Sequence, residues 1–188
     1  NATGTENQRI SFAHSTLTAA KSSWQYIQLS NTSTVSYCRF EQADQGLRID
    51  NVSPTVQNNI FKNNNYGIYL LNSASPGISN NTVYQNNYGI YLYPSLTMNP
   101  LINNNQIYDN STYNLYASGY ADFSAMTINA EHNWWGSTDA AAIAATIYDH
   151  ADNANSPLVD YDPYSNSGDI IQITNNSVTS RFFSPSVS

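Results

Sequence analysis

The sequence predicts an all-β solenoid, a stack of short strands wound into coils. Three observations carry that reading. The phrase "NNIFKNNNYGIYL" at residues 58–70 returns as "NNTVYQNNYGIYL" at residues 80–92, and a period of roughly 20 to 50 residues is the mark of a stacked architecture. Inside each repeat apolar and polar residues alternate, the pattern of a strand with one buried face. The stretches between are Gly, Asn, Ser and Pro turns, with no room for a helix inside the repeat. A unit of this length cannot close a core alone, but it can as one coil of a stack.

Taken along the chain, residues 10–23 read as a first, degenerate coil. From there the columns are regular. One runs Ile27, Leu47, Ile68, Ile90, Leu115, and another, two residues later, runs Leu29, Ile49, Leu70, Leu92, Ala117. Between them lie Gln28, Arg48, Tyr69, Tyr91 and Tyr116, which point outward if the flanking columns point in. Val35, Val56, Ile78 and Ile102 form a third inward column, and Phe40, Phe61, Val83 and Ile107 a fourth. Asn59, Asn81, Asn105 and Asn133 line up as an asparagine ladder of the kind that stacked strands support. Gly46, Gly67 and Gly89, with Asn114 in the next coil, read as bends where a β-carbon is unwelcome. After Gly136 the pattern changes. Residues 138–149 read as a helix capped by Asp139, with Ile143 and Ile147 on its inner face over Trp134 and Trp135. Residues 157–164 read as a strand, and 165–170 as a linker. The expected organisation is a β-helix over 1–136 with five to six coils, a cap of short helix and strand over 137–164, and a tail over 165–188.

Composition narrows the function. Charged residues are 10% of the chain, against about 25% in an average soluble protein. In their place stand 27 asparagines and 15 tyrosines, too many aromatics for a disordered chain. A net charge of −7 with only six scattered Lys and Arg argues against a nucleic-acid partner, whose phosphates need clustered cations. No apolar run approaches the roughly 20 residues that cross a bilayer. The lone Cys38 excludes an internal disulfide and a cysteine metal site, and reads as a small buried hydrophobe. Asn-X-Ser/Thr sequons begin at Asn1, Asn31, Asn51, Asn80, Asn110 and Asn175. With the low charge they point to an extracellular or cell-surface setting.

The repeated phrase resembles the right-handed parallel β-helix repeats of the pectin-lyase-like superfamily, over roughly residues 24–136. "EHNWWGS" at residues 131–137, followed by a helix and "PLVDYDPY", resembles the C-terminal end of many bacterial and archaeal proteins of that kind. The resemblance implies two sets of catalytic equipment to look for. Polygalacturonase-type members use clustered aspartates, Gly-His-Gly and Arg-Ile-Lys; this chain has no Gly-His-Gly, and Arg9-Ile10 and Arg48-Ile49 lack the lysine. Pectate-lyase-type members pair calcium-binding acids with a basic arginine. Here Asp44 and Asp50 are read as turn residues and Arg48 as outward, a surface ion pair rather than a catalytic set. No catalytic residue is assigned.

What remains are surfaces. Tyr69, Tyr91 and Tyr116 form one outward column, and Tyr66, Tyr88 and Tyr113 a second, able to stack on sugar rings, on another protein, or on each other. Asp149, Asp152, Asp160 and Asp162 offer oxygen ligands suited to calcium, without the spacing of a calcium loop; the plainer reading is a solvated acidic cap, with no cofactor. The sequence therefore predicts a non-catalytic structural β-helix of a fibre, surface coat or adhesive appendage. The alternative is a carbohydrate-binding module or a divergent polysaccharide lyase or hydrolase. The open first coil and the alternating tail "IIQIT" or "VTSRFF" further predict end-to-end self-association.

Overall fold

A computed structural model describes residues 1–16, 19–29 and 31–168. The first coil contains β1 (Ala2–Thr3), β2 (Ile10–Phe12) and β3 (Trp24–Leu29). The second holds β4 (Thr34–Ser36), β5 (Cys38–Glu41) and β6 (Ala43–Asp50), and the third β7 (Thr55–Gln57), β8 (Ile60–Lys62) and β9 (Tyr66–Asn72). The fourth holds β10 (Gly77–Ser79), β11 (Thr82–Tyr84) and β12 (Tyr88–Pro94), and the fifth β13 (Leu101–Asn103), β14 (Gln106–Tyr108) and β15 (Tyr113–Ala117). Beyond them come β16 (Thr127–Asn129), α1 (Ala140–Ala144), β17 (Ile147–Tyr148) and β18 (Leu158–Asp160). Four coils, β4 through β15, are regular, and a looser coil flanks them at each end, a slightly smaller count than the five to six expected.

Every strand pairs with its counterpart one coil away, in parallel. The result is three parallel sheets: a first of seven strands from β1 to β18, a second of five from β2 to β14, and a third of six from β3 to β17. Register is held by the apolar columns. Ile68 lies opposite Leu47 and Ile90, and Leu70 opposite Ile49 and Leu92, all fully buried. A slip of one residue would turn all of these to solvent. Phe12, Phe40 and Phe61 stack inside the second sheet at 5.0 and 4.8 Å.

The turns are where the asparagines act. Asn59, Asn81, Asn105 and Asn133 are buried, and the Nδ2 of each of the first three donates to the Oδ1 of the next at 3.0 Å. Each also donates to a backbone carbonyl of the previous coil, as Asn81 does to Val56 at 2.9 Å. A second ladder runs at the next turn through Asn64, Asn86, Asn110 and Asn114, with steps of 3.0, 2.9 and 2.9 Å. It sits five residues after the first in each coil. The runs "NNN" at 63–65 and "NN" at 86–87 hide which asparagine faces in.

Three expectations need correction. Gly46, Gly67 and Gly89 lie inside strands and have no left-handed backbone. What excludes a side chain is the next coil: a β-carbon on Gly67 would sit 2.6 Å from the Gly89 carbonyl oxygen. The helix is shorter than 138–149. Asp139 caps it through Ala141 and Ala142 as expected, but Ile147 leaves it to pair with Leu115, because β15 offers an unfilled strand edge. Asp44 and Asp50 are strand residues of β6, not turn residues. Within 137–164, β17 and β18 extend the third and first sheets. The tail strands "IIQIT" and "VTSRFF" lie outside the described residues.

Candidate binding face: the tyrosine ladder

The outward face of the third sheet is built by alternation. Because Ile68, Ile90 and Leu115 point in, Tyr69, Tyr91 and Tyr116 one residue later must point out. Parallel register puts them directly above one another. Tyr69 and Tyr91 stack with ring centroids 5.0 Å apart and planes within 4°, and Tyr91 and Tyr116 at 4.8 Å and 12°. Tyr148 from β17 continues the column at 4.4 Å. Beside it Tyr66 and Tyr88 stack at 5.2 Å, with Tyr113 beyond at 6.5 Å. The two columns meet edge to face: Tyr66 against Tyr69 at 5.0 Å and Tyr88 against Tyr91 at 5.4 Å. Such offset-stacked and edge-to-face pairs are the preferred arrangements of aromatic rings.

This packing leaves edges and hydroxyls for solvent, not ring faces. All six rings are half-buried. Burial pushes the Tyr91 phenol up to about 12, opposed by a hydrogen bond with Ser118, and burial does the same to Tyr116. Tyr66 and Tyr69 are raised for the same reason. Toward the first coil the column changes character. Arg48 occupies the place opposite Tyr69, lies 5.3 Å over the ring of Tyr26, and reaches Asp50 at 3.6 Å. Asp44 accepts from Asn65 at 2.9 Å and from the Ser22 hydroxyl at 3.2 Å. Arg48, Asp44 and Asp50 are thus tied into surface contacts of the strands themselves.

The acidic residues near the C-terminal side are not gathered. Buried Asp149 accepts from the backbone of Ala151 at 2.9 Å and of Val159 at 3.0 Å, and so joins the turn after β17 to β18. Asp152 accepts from the Asp149 amide at 3.2 Å. Asp160 ends β18 and Asp162 precedes Pro163. No cluster of three His, Cys, Asp or Glu arranged for a metal occurs among the described residues. Cys38 is fully buried, and its thiol donates to the carbonyls of Ser36 and Ala2. Burial raises it.

The sequons divide by geometry. Asn31 and Asn51 are exposed. Asn1 is exposed and its Oδ1 accepts from Thr34, and Asn80 is half-buried at a left-handed turn position. Asn110 lies between β14 and β15 and is half-buried. Its Nδ2 donates to Val83, Tyr108 and Asn114 within the second ladder. Asn175 lies outside the described residues.

Residues 3–154 match the family model described as the right handed beta helix region. The chain belongs to the right-handed β-helix family. The parallel sheets, the coil register and the inward columns of this β-helix agree with that membership and with the pectin-lyase-like resemblance. Comparison with curated proteins and with solved structures returns no match. Among the described residues no helix of the β-helix is long and apolar enough to cross a membrane.

Proposed function

We propose that this β-helix is a non-catalytic structural element displayed outside the cell or on its surface, in a fibre, coat or appendage. The carrying observation is the tyrosine ladder. Sugar recognition by aromatic residues uses ring faces, and here the faces between successive rings of the column rest on the next tyrosine of the same chain. The ladder therefore contributes to the stack, as the asparagine and phenylalanine columns do. The low charge and the exposed sequons Asn31 and Asn51 support an extracellular setting.

The row of outward hydroxyls favours one second reading, a carbohydrate-binding face that uses hydrogen bonds rather than stacking. One experiment separates them. The protein is incubated with acidic and neutral polysaccharides, and chain length and electrophoretic retardation are followed. The structural reading expects neither scission nor retardation. Retardation lost in Tyr91→Phe would replace it with the binding reading, and scission would replace both with a divergent lyase or hydrolase.

A further inference from the structure

The tyrosine stacks differ in what holds them. Those along the two columns of the third sheet, and Tyr84 on Tyr108 in the second, all join register partners of neighbouring strands. Strand pairing fixes both members of such a stack at the coil spacing. Tyr93 and Tyr120 are arranged otherwise. Tyr93 lies on β12 opposite Leu71. On the other side β15 pairs with β12 only as far as Ala117 opposite Leu92, leaving Tyr93 without a register partner there among the described residues. Tyr120, from the segment between β15 and β16, takes that place.

The two rings are parallel within 1° with centroids 4.0 Å apart. That is the shortest separation of any tyrosine pair among the described residues, and tighter than the roughly 4.5–7 Å usual for aromatic pairs. The Tyr120 hydroxyl donates to the Pro94 carbonyl at 2.7 Å, and Phe123 meets the ring edge-on at 5.1 Å. These contacts seat the ring against Tyr93, yet Tyr120 is 51% exposed.

Rings in face contact are set for one reaction. When a one-electron oxidant takes an electron from a phenol and its proton leaves to water, the phenoxyl radical carries spin on the carbons ortho to its oxygen. In stacked rings the p orbitals of those carbons point at the facing ring. Within the ladder, burial pushes the Tyr91 and Tyr116 phenols up to about 12, which opposes loss of the proton. Tyr120 meets solvent directly.

We propose that Tyr93 and Tyr120 form an oxidative crosslinking site, where a one-electron oxidant of the peroxidase class joins them as dityrosine. Each phenol gives up one electron and one proton. The two radicals form a carbon–carbon bond between ortho (Cε) carbons, and the hydrogens displaced there move to the phenol oxygens. One hydrogen peroxide takes up the two electrons and two protons and leaves as two waters. Residues 119–122 belong to no strand, so Tyr120 swings about the new bond without breaking strand pairing, which register partners cannot do. The product ties β12 to the segment beyond β15, and restricts the unfolded chain as a disulfide does. Its use, as a covalent tie in a structural element, rests on the structural reading above; its formation is read by mass.

The test treats the full chain, at low concentration, with a haem peroxidase and limiting hydrogen peroxide. The expected product has the monomer mass less two hydrogens, shows dityrosine fluorescence, and yields on proteolysis a joined peptide pair containing Tyr93 and Tyr120. Its urea midpoint is expected above that of the untreated chain. Tyr120→Phe keeps a ring to stack but has no phenol to oxidise, so the joined pair is lost with an unchanged circular dichroism spectrum. Should that variant fail to fold, Tyr93→Phe removes the phenol from the other partner. Tyr84→Phe is expected to keep the joined pair. Joined peptides from register partners instead, crosslinks only between chains, no loss of hydrogens, or an unmoved midpoint overturn the proposal. Retardation by polysaccharide with the crosslink formed would sink the structural reading and leave the site standing.

Discussion

At Asn81 a single buried carboxamide ties three successive coils together, accepting from Asn59, donating to Asn105 and donating to the Val56 carbonyl. A carboxamide suits this place because it offers donor and acceptor together, and every one of its groups is used. Asn81→Ala removes the partners of Asn59 Nδ2, the Asn59 amide and the Val56 carbonyl. Each buried group left unpaired costs about 1–3 kcal/mol, so the urea midpoint is expected to fall steeply. Thr97→Ala, at an exposed site whose hydroxyl lies 2.7 Å from that of Ser73, is expected to shift stability by about 0.5 kcal/mol or less. Equal shifts would show that the ladder adds nothing. The same logic governs modification. Expressed through a glycosylating secretory pathway, the chain is expected to carry sugar at exposed Asn31 and none at Asn110, whose acceptor nitrogen is already bonded three times. Peptide mass spectrometry reads both sites. Sequence shows both as sequons; only the fold distinguishes an asparagine aimed at solvent from one aimed into a ladder.

Among the elements, β6, β9 and β12 show how much the sequence reveals. Their inward columns follow from alternation alone, because a half-buried strand permits no other register. The outward tyrosines follow as well, since they occupy the intervening places. Their mutual stacking does not follow, for it depends on ring tilt set by neighbours in two columns. The glycine column was visible as a pattern, but its cause was not. Crowding against the next coil is a property of stacking distance, and no single strand contains it. Gly67→Ala is therefore expected to be severely destabilising, since its new methyl would meet backbone 2.6 Å away and the Val83 Cγ1 at 3.1 Å. Gly77→Ala, with open space around the site, is expected to be neutral or slightly stabilising. Thermal melts of the pair decide it. The tyrosines add a pH dependence. The Tyr91 and Tyr116 phenols are raised by burial to about 12 in the fold, against about 10 in an unfolded chain. Their contribution is fully present below the unfolded value and is lost as pH rises through the folded one. Stability is expected to decline between about pH 10 and 12, with phenolate absorbance rising as the chain unfolds. Tyr91→Phe removes one such group and should move the alkaline transition upward. An alkaline transition unmoved by Tyr91→Phe would mean its phenol ionises freely while folded.

For the molecule as a whole, the family and the parallel stack were legible because the repeat is spelled out in the letters. The extent of the stack is legible only in part: residues 10–23 read as a degenerate first coil and 157–164 as a strand, whereas Ala2–Thr3 and Ile147 lack the repeated phrase yet pair into the sheets. Edge coils take whatever strand the interior template accepts, so their sequences are freer. The asparagine ladders have a further consequence, which is mechanical. Their bonds run along the helix axis, as the interstrand bonds of all three sheets do, so a load applied along that axis pulls on every one of them lengthwise. From the second coil inward, a coil torn away must give up its ladder bonds and its strand bonds in the same step, and the regular coil beneath then presents the same resistance. Tension across the regular coils is met as a series of similar rungs rather than at one weak joint. A rod built this way yields by stepwise unwinding from an end and keeps its remaining length intact.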